Sequence, residues 1–274
     1  MSAAVQTVAY GGTLLALDKT WYSQYPRSRW HTFNDWPEWK QLDKIGHAYG
    51  AYIQGKTSME LWKWAGASQK SSAWIGGLSG AAFQTLIEYM DGRSADWGWS
   101  WGDIGANLTG TTLLLAQELA WKEQRINLKF SFHPTSYSDP VLQQRSKDLF
   151  GDRWTSRMLK DYNAQTYWAS FRWKSFFKNS NWPAWLCVSV GTGASGLWGG
   201  RSNIKTDGNG NVLFDRSDIA RQRQWFFSPD IDFTKIPSRK KWMRVFLFTL
   251  NAFKCPLPTL EFRAGNWKIH PLYF

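Results

Sequence analysis

Three short segments in the first half of the chain carry ionisable residues at helical spacing. Asp43 and His47 are four residues apart with Lys44 between them, and Glu88 and Asp91 are three residues apart. Residues at these spacings lie on one face of a helix. Ionisable side chains are rarely buried in a helix packing face unless they are paired, hydrogen-bonded or bound to a metal. We therefore expect these groups to form either a polar lock or a functional site.

The third segment contributes Ser100, Asp103 and Asn107. Asp103 and Asn107 are again four residues apart, and Ser100 stands three residues before Asp103, which is the pattern of a helix-capping box. Gln84 extends the face of Glu88 by one helical turn. If the three helices pack together, each of them presents a carboxylate to a shared interior, and one adds an imidazole.

Two chemistries suit such a cluster. His47 could ligate a divalent metal together with Glu88 and Asp91, as mixed nitrogen and oxygen ligands. Alternatively, His47 could act as a general base oriented by Asp43, with an acidic residue positioning substrate or water. The catalytic candidates are His47, Asp43, Glu88, Asp91 and Asp103, and the supporting polar residues are Lys44, Gln84, Ser100 and Asn107.

A purely structural interpretation exists for most of these residues. Capping and the helix dipole explain Asp103, and an ordinary helix stop explains Asp91 before Gly92. Asp43 and Lys44 could form a surface pair that contributes little to stability. The chain has no Gly-x-Ser-x-Gly elbow, P-loop or His-Glu-x-x-His motif. The cluster is thus a buried network, a catalytic site or a metal site, and the sequence names neither a reaction nor a cofactor.

Aromatic residues and positive charge distinguish the composition. The 274 residues include 20 Trp, 17 Phe and 10 Tyr, and aromatic residues make up 17% of the chain. Such an excess indicates a dense core, a membrane-interface belt or a surface that stacks on bases or sugars. The net charge of +12 favours an anionic partner. Because the basic residues form no long tract and no nucleic-acid-binding module is recognisable, we expect anionic lipid rather than nucleic acid.

Other features bear on the compartment. Cys187 and Cys255 are the only cysteines, so the chain has no disulfide framework, and we expect two free thiols. No stretch approaches the ~20 uninterrupted apolar residues of a membrane-spanning helix. The first 17 residues lack charged side chains, but no basic segment precedes them and polar residues dilute the apolar run. We therefore expect no secretory signal in this chain.

Helical patterns dominate residues 1–128. The apolar segment 3–23 ends in Trp21-Tyr22, and Asp35 with Pro37 resembles the start of a helix that runs to about residue 54. Residues 57–68 suggest a further amphipathic turn or two. Serines begin a glycine-rich helix over 71–91, and Ser100 caps a helix that reaches about residue 122. Small residues at this density let helices approach closely, so the pattern predicts a bundle.

The pattern changes in residues 129–274. Residues 130–158 are polar and loop-like, and period-two alternation then predicts strands over 162–177, 184–198, 222–234, 257–263 and 267–273. Asp207–Asn211 predicts a tight turn, and Ala264-Gly265-Asn266 a hairpin. A basic amphipathic helix is expected over 238–252. The fold class is therefore α+β, with a glycine-rich helical domain (1–128) followed by a β-rich domain (129–274) whose antiparallel sheet could curl into a barrel-like form.

Three ordered motifs resemble a known family. They are Asp43-Lys44-Ile45-Gly46-His47, Ile87-Glu88-Tyr89-Met90-Asp91-Gly92, and Gly98-Trp99-Ser100-Trp101-Gly102-Asp103 followed by Asn107 and Gly110. Together they resemble the YfiM-like predicted periplasmic lipoprotein family, the domain of unknown function 2279. The segments Lys160–Trp168, Pro258–Glu261 and His270–Phe274 are similar to the longer members found in Bacteroidota, although Ala164 stands where those members usually carry Gly. The resemblance implies the envelope of a Gram-negative bacterium, periplasmic or associated with the outer membrane, and supplies no activity.

A fainter similarity links the same motifs to VanZ-like membrane proteins. Because this chain lacks their full-length spans, a transmembrane fold does not follow from that similarity.

Three functions remain open. The first is an envelope protein with a structural or interaction role at an anionic lipid or outer-membrane surface. The second is a lipid- or glycan-modifying hydrolase or transferase that uses the His/Asp/Glu cluster. The third is an accessory subunit of an envelope secretion or assembly machine, with another envelope protein as its partner.

Overall fold

The computed structural model describes residues 2–20 and 22–274, so Met1 and Trp21, with which the first predicted segment ends, lie outside it. The chain divides into two compact units. Unit 1 comprises Met1–Trp36 and Asp43–Gln124, and unit 2 comprises Pro37–Leu42 and Arg125–Phe274. Each unit has its own secondary structure. Unit 1 contains helices α1 (Ser2–Thr20), α2 (Leu42–Trp64, beginning at the last residue of the segment assigned to unit 2), α3 (Gln69–Asp91) and α4 (Trp101–Trp121).

Local sequence explains where α3 and α4 begin. The Ser68 hydroxyl accepts a hydrogen bond from the Ser71 N–H at 3.1 Å. The Ser100 hydroxyl accepts one from the Asp103 N–H, also at 3.1 Å. Each serine thereby satisfies a backbone donor that the first helical turn leaves free. The cap predicted at Ser100 is confirmed, and so is a helix that reaches residue 121.

Helix α2 does not begin near Asp35 as the sequence predicted. Trp39, Lys40 and Gln41 take left-handed backbone conformations, with φ of 46°, 53° and 55°, so the first α-helical residue is Leu42. The Trp39 N–H donates to the carbonyl of Gly200 at 2.8 Å. This tertiary hydrogen bond replaces a helical one. The same helix then continues unbroken to Trp64, which removes the separate turn predicted over 57–68.

Glycines set the distance between the helices of unit 1. A Cβ atom on Gly80 of α3 would stand 2.7 Å from the Ala51 carbonyl oxygen of α2. A Cβ atom on Gly110 of α4 would collide with the carbonyl oxygen of Ala48, which also lies on α2. The close approach expected from the glycine-rich segments is therefore present, and it draws the polar faces of α2, α3 and α4 together.

Unit 2 is built on antiparallel strands. Its elements, in chain order, are β1 (Ile126–Phe132), α5 (Pro140–Phe150), α6 (Trp154–Lys160), β2 (Gln165–Arg172), α7 (Trp173–Phe176), β3 (Leu186–Ser195), β4 (Ile204–Thr206), β5 (Val212–Asp215), β6 (Gln222–Ile231), α8 (Lys241–Leu250), β7 (Leu257–Arg263) and β8 (Asn266–Tyr273). Six strands form one sheet in the order β1-β2-β3-β6-β7-β8, and β4 and β5 pair separately. All these pairs are antiparallel.

The barrel-like form considered from the sequence is wrong, because the sheet is not closed. The expected loop over 130–158 is also wrong in part, since β1 extends into it and α5 and α6 lie within it. Asp139 caps α5 by accepting from the Val141 N–H at 2.8 Å. The hairpins at Asp207–Asn211 and Ala264–Asn266 are confirmed.

Buried ion pairs stabilise the interior of unit 2. Asp230 is fully buried and lies 3.0 Å from Lys129 Nζ and 3.7 Å from Lys254 Nζ. It also accepts from the Ser170 and Ser189 hydroxyls, at 2.6 and 3.2 Å. Burial opposes ionisation of Asp230, but the two lysines outweigh it and hold the pKa of this carboxyl below its usual range. No residue spacing in the sequence predicts this cluster.

Two further expectations from the sequence concern the cysteines and membrane-spanning helices. Cys187 and Cys255 are free thiols in the structure; Cys187 is buried, as expected for both, whereas Cys255 is only partly buried. Within residues 2–20 and 22–274, no helix combines the length and the apolarity needed to cross a membrane.

Candidate functional site

Lys44 holds three carboxylates together in unit 1. Its ammonium lies 2.7 Å from Asp35 Oδ2, 2.9 Å from Asp43 Oδ2 and 2.8 Å from Asp103 Oδ1. Lys44 is only 6% exposed. Burial opposes its charge, but Asp43 and Asp103 outweigh that penalty and raise the pKa of Lys44. The residue predicted to support the cluster is therefore at its centre, and it is not part of an isolated surface pair.

His47 lies beside the same carboxylates with both ring nitrogens directed at polar groups. Nε2 lies 3.8 Å from Asp43 Oδ1 and 3.8 Å from Asp103 Oδ1. On the other side of the ring, Nδ1 lies 3.3 Å from Asn107 Oδ1 and 3.5 Å from Glu88 Oε1. Burial works to lower the pKa of His47, but the surrounding carboxylates outweigh it and raise the pKa to about 9.

Burial has the opposite effect on the carboxylates of the cluster: it raises their pKa values, whereas it works to lower that of His47. Burial raises the pKa of Glu88 to about 8, and the nearby His47 only partly offsets this effect. The pKa of Asp103 is likewise raised by burial, to about 7. These groups retain protons near neutral pH because burial disfavours their charged forms and the neighbouring carboxylates add to that effect. Such shifts are common at functional sites, although ion-pair networks produce them too.

Asp91 is half-buried at the end of α3 and has a different partner. Its Oδ1 accepts a hydrogen bond from the Tyr22 hydroxyl at 2.8 Å. Burial raises the pKa of Asp91 to about 7, and the bond from Tyr22 works against that rise. Tyr22 also lines a cavity of about 250 Å³ together with Tyr25, Tyr89 and Arg93. Asp91 is thus linked through Tyr22 to a cavity wall.

The remaining supporting residues hold the helices in place. Ser100 caps α4, donates from its hydroxyl to Asp35 Oδ1 at 2.6 Å, and donates from its N–H to Glu88 Oε2 at 3.3 Å. Gln84 is buried on α3 one turn before Glu88, and its side chain lies against the backbone of Gly50 on α2. The polar residues predicted from the three segments therefore lie in one helical unit, and most of them meet directly.

Among the described residues, one set of acidic and histidine side chains lies within the mutual distances of a metal site. Its members are Asp43, His47 and Asp103, whose ligand atoms all lie within 4.8 Å of one another. The set predicted from sequence was His47, Glu88 and Asp91. Glu88 faces the opposite ring nitrogen of His47, and a ligand role for Glu88 or Asp91 stays a prediction, as do all the catalytic roles.

Two contacts of this cluster were missed by sequence reasoning. Asp35 was interpreted only as a helix cap, yet it bonds Lys44 and Ser100. Tyr22 was treated as the end of an apolar segment, yet it bonds Asp91. Asp35 lies eight residues before the nearest cluster motif, so no helical spacing could have included it.

The six-stranded sheet of unit 2 has an unusual distribution of polar and apolar residues. Along β6, the buried residues are Phe226, Ser228 and Asp230, and the exposed residues that alternate with them are Trp225, Phe227 and Pro229. Antiparallel sheets with one face in water normally place apolar residues inside and polar ones outside. Here the buried face is largely polar and the exposed face is apolar.

Strand register extends the exposed face across four strands. Val190, Phe227, Leu260 and Ile269 are paired in one row across β3, β6, β7 and β8, and paired residues lie on the same side of a sheet. We call the exposed members of this side the apolar sheet face. They are Val188, Trp225, Phe227, Leu260, Trp267 and Ile269, between 36% and 73% exposed.

Helix α8 carries a second exposed apolar surface in unit 2. Trp242, Val245 and Phe246 lie on one side of the helix at i, i+3 and i+4 spacing and are all more than half exposed. No residue of α8 is buried. The basic residues Lys241 and Arg244 are exposed on the same helix. The basic amphipathic helix expected from the sequence is thus present, from Lys241 to Leu250.

Comparison with known proteins gives one match. Residues 32–117 match the family described as predicted periplasmic lipoprotein, the domain of unknown function 2279. The matched range contains all three motifs of the helical cluster, and it supports the family assignment made from them. No curated protein and no solved structure shows significant similarity to the chain.

Proposed function

We propose, from the membership of residues 32–117 in the family of predicted periplasmic lipoproteins, that the chain is a cell-envelope protein that binds an anionic membrane surface through unit 2. An envelope location agrees with the family description. The finer location, at the periplasmic side of or within the outer membrane, is part of the proposal, as is the interaction role.

The inverted polarity of the sheet supports this proposal. Six large apolar side chains form the apolar sheet face, while Lys129, Asp230 and Glu261 are buried on the other side. An exposed apolar surface of this size costs free energy in water, at about 25 cal/mol for each Å², and marks an interaction site. Proteins that contact lipid place apolar residues outward and polar residues inward. Lipid is therefore the occupant that fits the face.

Charge and aromatic content favour an anionic bilayer over a neutral one. The chain carries a net charge of +12, and basic residues near a membrane surface contribute about 1 kcal/mol each toward anionic lipid. Trp267 on the apolar sheet face and Trp242 on α8 are both exposed. Tryptophan is enriched at the level of the lipid headgroups, where its ring contacts acyl chains and its N–H contacts water.

Vesicle flotation tests the proposal. The full chain should float with vesicles that contain phosphatidylglycerol, more weakly at high salt, and Ile269→Gln should weaken this binding about tenfold, which corresponds to about 1.4 kcal/mol. Leu213→Gln is the matched control, since Leu213 is an exposed apolar residue on β5 of the separate hairpin. Circular dichroism should show both variants folded.

Three results would contradict the proposal. They are a wild-type chain that stays unbound at low salt, equal effects of the two glutamine variants, and concentration-dependent self-association that Ile269→Gln abolishes without any binding to lipid. The last result would assign the apolar sheet face to a second copy. Capture of a defined envelope protein by the same face, in the absence of lipid, would favour the role of an accessory subunit.

A second candidate function rests on unit 1. The convergence of His47 with Asp43 and Asp103, within 3.8 Å of Nε2, favours a lipid- or glycan-modifying hydrolase or transferase. The pKa of His47, raised to about 9, makes the protonated imidazole the dominant form at neutral pH, so it would begin the reaction as a general acid. Loss of activity on an envelope lipid or glycan in His47→Gln, with unchanged vesicle binding, would separate this function from the first.

A further inference from the structure

We infer that Asp43, His47 and Asp103 form a binding site for a divalent transition metal, with Zn²⁺ as the best-fitting ion. The site would be in unit 1 and independent of the membrane-binding surface proposed for unit 2. Three observations carry this inference: the spacing of the three ligand atoms, the groups that face the far side of His47, and the local excess of negative charge.

The spacing of the ligand atoms fits a shared ion better than direct hydrogen bonds. His47 Nε2 lies 3.8 Å from both Asp43 Oδ1 and Asp103 Oδ1, which is too long for a hydrogen bond. Two ligands that each lie about 2.1 Å from a tetrahedral Zn²⁺ are roughly 3.4 Å apart. A shift of about 0.4 Å therefore brings each of the two histidine–aspartate pairs to coordinating distance, and all three ligand atoms already lie within 4.8 Å of one another. One imidazole and two carboxylates are ligands that Zn²⁺ accepts.

The far side of His47 has the partners that metal-bound histidines require. Such a histidine usually donates its second ring N–H to a carboxylate or carbonyl oxygen, which fixes the ring for the metal. His47 Nδ1 lies 3.3 Å from Asn107 Oδ1 and 3.5 Å from Glu88 Oε1. Glu88 is 1% exposed, and its Oε1 makes no hydrogen bond among the described residues. Glu88 Oε1 is thus a buried acceptor that faces the imidazole and lacks a donor in the described part of the chain. A metal bound to Nε2 would place the ring proton on Nδ1, which could then donate to this oxygen.

Charge balance points to a divalent ion. Asp35, Asp43 and Asp103 place three carboxylates around the single ammonium of Lys44, which leaves two net negative charges among these groups once His47 is neutral, as a metal ligand must be. A buried excess of this kind is costly unless a cation or protons neutralise it. Lys44 contacts Asp43 through Oδ2, so Oδ1 of that carboxylate is directed at His47 instead. Lys44 and a metal can therefore bind Asp43 through different oxygens, whereas at Asp103 both would use Oδ1.

The proposed site is partly exposed to solvent, and its three protein ligands would leave one coordination position of the ion for another group. Asp43 and His47 side chains are 22% and 15% exposed, whereas Asp103 is 5% exposed. With three protein ligands, a tetrahedral Zn²⁺ keeps its fourth position for water or a substrate atom. Three protein ligands with one open position are typical of catalytic zinc sites, whereas four protein ligands are typical of structural zinc sites.

Metal titration of the chelator-stripped full chain tests the inference. Isothermal titration with Zn²⁺, followed by elemental analysis after desalting, should show about one equivalent bound in the wild type. Asp103→Asn and His47→Gln should lower the affinity by more than about 100-fold, and Asn107→Leu by about 10- to 100-fold, because it removes an acceptor for Nδ1. Co²⁺ in place of Zn²⁺ should give visible absorption bands that the Asp103→Asn variant lacks.

Glu118→Gln is the matched control. It makes the same acid-to-amide change at another buried carboxylate of α4, and it should leave Zn²⁺ binding unchanged because Glu118 lies about four helical turns beyond Asp103 and bonds Lys63 and Gln69. If Asp103→Asn proves unfolded by circular dichroism, Asp43→Asn at the more exposed ligand decides the matter. Absence of stoichiometric binding in the wild type, or equal losses in Glu118→Gln and Asp103→Asn, overturns the assignment.

Discussion

The buried charge clusters of the two units have opposite compositions. In unit 1, the ammonium of Lys44 lies among Asp35, Asp43 and Asp103. In unit 2, the carboxylate of Asp230 lies between two ammonium groups. The pKa shifts follow this difference: that of Asp103 is raised to about 7, and that of Asp230 is lowered. Burial alone raises the pKa of every carboxylate, so the number of neighbouring cations decides the sign.

The difference in charge indicates that the cluster of unit 1 can bind a further cation, whereas the carboxylate of Asp230 in unit 2 already has all its partners. Asp230 is satisfied by two lysines and by the Ser170 and Ser189 hydroxyls. Unit 1 keeps an excess of acid and a buried Glu88 oxygen without a hydrogen bond among the described residues. A protein that needed only a polar lock in unit 1 would gain more from a balanced cluster, so the imbalance favours a ligand there.

The largest expected effect is at the complete cluster. Lys129→Met should destabilise unit 2 by about 3–5 kcal/mol, because it leaves Asp230 ionised with only Lys254 at 3.7 Å. Hydrogen exchange with mass spectrometry should show the loss in peptides from β1 and β6, and Lys205→Met, at an exposed lysine, should leave them unchanged. A cost below about 1 kcal/mol would mean that the buried pair is energetically neutral.

Lys44→Met should cost less, about 1–3 kcal/mol in chelator-treated protein. The pKa of Asp103 is already about 7, so this carboxyl can take up a proton and remove part of the unpaired charge. Peptides from α3 and α4 should report the loss by hydrogen exchange. A cost equal to that of Lys129→Met would show that the acid-rich cluster cannot adjust its protonation, and the proposed difference between the clusters would then be wrong.

The smallest expected effect is a difference in pH dependence. The folded pKa of Asp230 lies below its unfolded value, so the stability it contributes to unit 2 is present above about pH 4 and is lost as the pH falls further. Glu88 has the opposite sign. Its folded pKa of about 8 lies above the unfolded value, so chelator-treated unit 1 should lose stability as the pH rises from about 4 to 8.

Hydrogen exchange at several pH values, read separately for peptides of the two units, measures this difference. Exchange rates must first be corrected for the intrinsic pH dependence of amide exchange. Parallel pH profiles in the two units would contradict the assignment of opposite signs to Asp230 and Glu88.

Local patterns determined most of the secondary structure in advance. The Ser100 cap, the glycine-rich helices, five strands of the large sheet and the hairpin at Gly265 follow from residue spacing and turn chemistry. Strand β1 was missed although Ile126, Leu128, Phe130 and Phe132 alternate with polar residues. The start of α2 could not be predicted, because a hydrogen bond from Trp39 to the distant Gly200 competes with the helix.

Helical spacing alone predicts most members of the candidate cluster of unit 1, since it places polar side chains on shared faces, but it does not include Asp35 or Tyr22. The arrangement of the cluster depends on how the helices pack: Asp35 joins Lys44, Asp91 bonds Tyr22, and His47 faces two aspartates on one side and Glu88 on the other. The polarity of the sheet in unit 2 depends on packing as well. Alternation places residues on two faces of a strand, but which face is buried depends on what packs against it.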